Sequence, residues 1–66
     1  NELQIKLKEE YYKVRLKMYN NLGQMVFYEN FQSTNKISIR PEIKNGSYII
    51  ELQVENERLH FNLLKQ

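Results

Sequence analysis

His60 is the only side chain here whose ordinary titration falls near neutral pH, so any general-base chemistry would start from it. It has no second histidine to complete a metal pair, and with no cysteine in the chain there is no thiolate ligand either. A catalytic role would also need a nucleophile and an orienting acid. Ser33, Ser38 and Ser47 are the available hydroxyl nucleophiles of that type, and none sits in a nucleophile-elbow motif. Glu9 and Glu10 are adjacent: on a strand they point to opposite faces, and in a turn both face water, so neither arrangement makes an acid–base pair. The two glycines, Gly23 and Gly46, are too far apart to form a phosphate-binding loop. The expectation is a non-enzyme with no cofactor and no metal, and with His60 on an outward sheet face beside Gln53.

Lys13, Arg15 and Lys17 form a basic stripe, and the pairing derived below sets Phe27 and Phe31 next to it. Basic and aromatic residues together suit an anionic glycan or a single-stranded nucleic acid. The net charge is only +2, however, and Glu29 falls opposite Arg15 in that pairing. An ordinary solvated face with lysines guarding a sheet edge accounts for the stripe, and no nucleic-acid partner is expected.

These residues must be positioned by strands. The chain has 66 residues with no alanine, and it is rich in isoleucine, leucine and tyrosine, which argues against helices. A domain of this size buries only about 60% of the surface its unfolded chain exposes, and no disulfide is available to reinforce it. The longest apolar run is Met25–Tyr28, far short of the roughly 20 residues of a spanning helix, so no membrane span is expected. The sequence begins at Asn1 without an initiator methionine, which suggests a processed or excised part of something longer.

Leu3, Ile5 and Leu7 alternate with polar residues, as do Tyr12, Val14, Leu16 and Met18. A tight turn at Glu9-Glu10 would set Leu7 opposite Tyr12, Ile5 opposite Val14 and Leu3 opposite Leu16, with all apolar residues on one face. Two glutamates are poor turn formers, and a longer separation of the two strands is the alternative. Asn20-Asn21-Leu22-Gly23-Gln24 suits a three-residue loop with Gly23 left-handed, placing Met18 opposite Val26, Leu16 opposite Tyr28, Arg15 opposite Glu29 and Lys17 opposite Phe27. Ser33-Thr34-Asn35 reads as a loop before a short strand at Ile37 and Ile39, which Pro41 ends. Ile43 is expected to plug the core, and Asn45-Gly46 to turn the chain. A two-residue turn at Asn56-Glu57 would then bring Val54 opposite Leu59, Leu52 opposite Phe61, Ile50 opposite Leu63 and Glu55 opposite Arg58. Six strands with short connections predict an all-β domain over residues 1–66, two antiparallel sheets packed face to face, with an open barrel as the alternative.

Two segments are more specific than turn physics requires. One is Leu16-Lys17-Met18-Tyr19-Asn20-Asn21-Leu22-Gly23-Gln24-Met25-Val26. The other runs from Ile37-Ser38-Ile39 through Ile43 and Gly46-Ser47-Tyr48-Ile49-Ile50-Glu51-Leu52 to the closing Leu63-Leu64-Lys65-Gln66. Together they resemble the type A C-terminal sorting domain of the type IX (Por) secretion system. That family carries a Tyr-Asn-x-Leu-Gly-Gln-x-Val hairpin, an Ile-x-Ile element followed by Gly-x-Tyr, and a short apolar-basic tail. The resemblance covers the chain from about Leu3 to Gln66. Two features depart from the pattern: no Pro-Asn-Pro segment precedes the first strand, and Lys65 stands alone where the family tail tends to carry more lysines.

The resemblance implies an immunoglobulin-like β-sandwich of about six to seven antiparallel strands at the C-terminus of a larger secreted protein. It implies a non-catalytic secretion signal, recognised by the outer-membrane translocon after passage through the periplasm of a Gram-negative bacterium. A sortase would then remove the domain and attach the N-terminal cargo to the cell surface. Leu63, Leu64, Lys65 and Gln66 match the tail, the candidates for translocon recognition. Asn20, Leu22, Gly23, Gln24, Val26, Gly46 and Tyr48 match the motif and have mainly structural roles. The competing expectation is a β-sandwich accessory module of a surface enzyme, binding carbohydrate or packing on its parent.

Overall fold

The computed structural model describes residues 2–66 and places them in four antiparallel strands with no helix among them; Asn1, where the sequence begins, lies outside the described residues. The strands are β1 (Leu3–Asn20), β2 (Met25–Ile39), β3 (Gly46–Val54) and β4 (Glu57–Lys65), hydrogen-bonded in one sheet in the order β2-β1-β3-β4. The all-β expectation holds. The six to seven strands in two sheets do not: the sheet is single, and two of its strands are long enough to do the work of two each.

The reason lies at Glu9-Glu10. No turn forms there, and β1 runs straight through the pair. From Lys6–Lys36 to Tyr11–Thr34 the pairing advances five residues along β1 against two along β2. The surplus bends the strand, as bulges do. It is also odd in number, so it exchanges the faces of β1. Leu3, Ile5 and Leu7 pack on the core before the bend, and Val14, Leu16 and Met18 after it. Leu7 therefore does not meet Tyr12; Ile5 pairs with Ile37, and Val14 with Phe31 and Val54. Tyr12 is exposed, and Tyr11 packs on the core in its place. The expected Ser33-Thr34-Asn35 loop is instead the matching kink in β2, marked by Ser33 at φ 50°.

A second irregularity follows the first turn. Tyr19 pairs with Met25 but Met18 pairs with Phe27, leaving Val26 as an extra residue on β2. The expected register holds next to the turn and slips by one beyond it. Leu16 thus faces Glu29, Arg15 faces Asn30 and Lys17 faces Tyr28. The slip carries Phe27 and Phe31 to the core side, where both are partly buried. Fully burying a phenylalanine stabilises by about 1.5–3 kcal/mol, and each of these two gains a part of that, which gives the bulge its physical advantage. The side chains of the basic stripe accordingly share their face with neither phenylalanine.

The β3–β4 hairpin turns at Glu55-Asn56, with Val54 paired to Glu57, two residues off the expected register. A shift of two preserves faces, so Leu52 meets Leu59, Ile50 meets Phe61 and Tyr48 meets Leu63. Glu55 takes φ 52°, a positive φ at the first central residue as in type II′ turns. Pro41 follows the end of β2, and Ile43 packs on the core from the connection, both as expected.

One core results. Val14, Leu16, Met18, Ile37, Ile39, Tyr48, Ile50, Leu52 and Val54 form it. Ile37 is 0% exposed although it lies on an edge strand, so the far arm of the β1–β2 ribbon must lie over the rest of the sheet. A cleft lined by Leu3, Ile5, Ile50, Phe61 and Leu63 marks the open side between these two layers.

Candidate recognition surface

The register brings the sequence-distant signature residues to one end of the sheet. Asn20 on β1 pairs with Tyr48 on β3, and Tyr48 pairs with Leu63 on β4; next to them Ser47 pairs with Leu64 and Gly46 with Lys65. The β1–β2 turn, the start of β3 and the end of β4 therefore share a corner.

The turn is built by side chains. The Asn20 Oδ1 accepts hydrogen bonds from the backbone N–H of Leu22 at 3.0 Å and of Gln24 at 2.9 Å, and its Nδ2 donates to Gln24 Oε1 at 2.9 Å. Gly23 takes φ 81° in open space, so backbone conformation rather than crowding calls for glycine there. Asn20, Gly23 and Gln24 thus have structural work, and Val26 is the bulge. Leu22 has none: it stands 78% exposed at the tip.

Tyr48 is buried with its hydroxyl donating to the Lys44 carbonyl, which ties the β2–β3 connection to the core. Gly46 has φ 152°, and a Cβ there would meet only ordinary contact with the Tyr48 ring. In the tail, Leu63 is half-buried and packs on the core, whereas Leu64 is 62% exposed on the outer face. Glu2, Leu3, Pro41 and Ile43 form a shallow cleft against Leu63–Gln66. Glu2 is fixed beside it by hydrogen bonds from Ser38 and Gln4, which hold its carboxyl below the usual glutamate range.

Sequence reasoning missed the outer-face neighbours of Leu64. Ile49 and Met25 are exposed and pair with Tyr19 from either side, giving an apolar strip across three strands. The signal was present in Ile49, an apolar residue at an outward position of an alternating strand. Elsewhere on that face His60 faces Glu51, not Gln53, with Nε2 3.2 Å from Oε2. At the opposite end, the bend of β1 sits by the β3–β4 turn. There, partial burial pushes the Tyr11 phenol up, with Glu9, Glu57 and Glu55 adding to the shift. No group of three metal-ligating side chains occurs among the described residues.

The protein family described as the secretion system C-terminal sorting domain matches residues 1–66, the whole sequence. The chain belongs to that family. It is a C-terminal sorting signal for type IX secretion, carried by a cargo destined for secretion or the cell surface. No curated protein and no solved structure matches it.

Proposed function

We propose that the corner formed by the Asn20–Gln24 turn, the start of β3 and the tail is the surface that the type IX outer-membrane translocon reads. The observation that carries this is the convergence of the family's separated motifs through the Asn20–Tyr48–Leu63 register. In this reading Asn20, Gly23, Gln24, Gly46 and Tyr48 hold the corner in shape. Leu22, Ile49 and Leu64 supply exposed apolar contacts, and Leu63, Lys65 and Gln66 complete the edge. The domain acts by being bound and carries out no reaction. Residues 1–66 form the C-terminal unit of a larger secreted protein, and a sortase removes them once the cargo has crossed the outer membrane. The family architecture in this reading is an immunoglobulin-like sandwich, which this chain approximates with one sheet of four strands bent into two layers. For the accessory-module alternative, the glycan-suited grouping of the basic stripe with Phe27 and Phe31 is lost, because both phenylalanines pack on the core, and nothing observed favours it.

The test fuses residues 1–66 to a fluorescent protein bearing a periplasmic export signal, in a host with type IX secretion. Export to the surface or medium is expected. Leu22→Asn with Leu64→Asn should strand the reporter in the periplasm while its folding is unchanged. Full export of that double variant would refute the assignment of the corner.

A further inference from the structure

The two edges of the sheet are unlike. β2 is blunted by the Ser33 kink and the Val26 bulge, and the free edge of the first half of β1 carries Lys6, Lys8, Glu9 and Glu10 around its bend. β4 has neither kink nor bulge, and its charges, Glu57, Arg58 and Lys65, lie at its two ends. It is nine residues long, pairs with β3 without a register break and contains no proline. β4 ends the strand order, and among the described residues no Cα of it comes within 8 Å of β1 or β2, so no strand pairs with its outer edge.

The two-residue turn closes on Val54–Glu57, so Glu57, Leu59, Phe61, Leu63 and Lys65 direct their backbone groups to β3. Arg58, His60, Asn62 and Leu64 direct theirs to the open edge. An antiparallel copy of the same strand, with its two-fold axis at Phe61, satisfies these groups as Arg58–Leu64 and His60–Asn62 hydrogen-bonded pairs. In that register Phe61 meets Phe61, Leu59 meets Leu63 and Glu57 meets Lys65, each of the latter two twice. Moving the axis to Asn62 would set Leu59 against Lys65, and moving it to His60 would set Glu57 against Leu63. Of the three, only the Phe61 register matches apolar with apolar and acid with base at its closely spaced, non-hydrogen-bonded pairs, Phe61–Phe61, Leu59–Leu63 and Glu57–Lys65. It also covers Phe61 and Leu59, which are 41% and 38% exposed in the single chain.

We infer that β4 is a self-complementary edge through which two copies of this chain pair antiparallel about Phe61, forming one continuous eight-stranded sheet. The inference rests on β4 alone and stands whether or not the corner is what the translocon reads. Pairing would place the tail residues Leu63–Lys65 inside the dimer contact.

The experiment measures the mass of the 1–66 chain by sedimentation equilibrium from micromolar to millimolar concentration. The wild type should show a monomer–dimer equilibrium. Glu57→Lys or Lys65→Glu alone puts like charges at both ends of the contact and should weaken the dimer on the order of tenfold or more. The double variant E57K/K65E should restore wild-type dimerisation. Glu57 is exposed and Lys65 half-buried, and circular dichroism checks that each variant keeps the fold. A chain that is monomeric at millimolar concentration would overturn the inference and leave the edge to a strand of a different protein. A dimer indifferent to the single swaps, or not restored by the double, would overturn it equally.

Discussion

The β1–β2 ribbon and the β3–β4 hairpin are written in the same alternating code, yet they use it differently. β3–β4 keeps one parity facing the core from end to end, and its register departs from expectation by an even step that turns no side chain over. β1–β2 contains two odd irregularities, and at each the side chains change face. The difference teaches that a short chain can make two layers from one sheet by misplacing residues in a single long strand. The hairpin supplies a flat half of the core; the ribbon, by bending, supplies the other half and the lid.

The largest effect should come from the lid. Ile37→Ala, on the folded-over arm, should cost about 2–5 kcal/mol, as much as Leu52→Ala in the flat half, by denaturant unfolding. A cost near that of a surface substitution would mean the layers do not close. The two turns should differ next. Asn20→Ala removes the acceptor for two backbone N–H groups and should cost about 1–2 kcal/mol, whereas Asn56→Ala in the other turn should cost close to nothing. Glycine should act in opposite senses at the two turns. Gly23→Ala should destabilise by about 1 kcal/mol, and Glu55→Gly should stabilise by a few tenths to about 1 kcal/mol, because both sites have positive φ and only one already has glycine. The smallest effect concerns Glu2, which ties the start of β1 to Ser38 on β2. Its carboxyl titrates below the ordinary range when folded, so its contribution is present above the unfolded value and lost as pH falls through the folded one. A melting series across the carboxylate range should show a slightly smaller acid-side loss in Ser38→Ala than in the wild type.

Alternation made the inward faces of Val14–Met18 and Tyr48–Val54 legible, and with them most of the core. The Asn20–Gln24 turn was legible too, because its residue types match one backbone conformation. The bend at Glu9-Glu10 was not. Local pattern reports parity on each side of an irregularity but not whether the chain turns back or runs on through it. The faces of Phe27 and Phe31 went astray for the same reason, since the one-residue bulge at Val26 has no glycine to announce it. The motif residues could be named from sequence, but their meeting at one corner depends on β1 pairing with β3. No periodicity encodes that pairing.

Tyr12 and Leu64 provide the most direct test of that corner. Both are apolar-bodied side chains with nearly equal exposure, 66% and 62%, at opposite ends of the sheet. The measurement is the fraction of the fluorescent fusion exported by the type IX host when each is changed singly to serine. Leu64→Ser should leave most of the reporter in the periplasm with an unchanged melting temperature, and Tyr12→Ser should be exported like the wild type. Equal export of the two variants, or loss confined to Tyr12→Ser, would contradict the account.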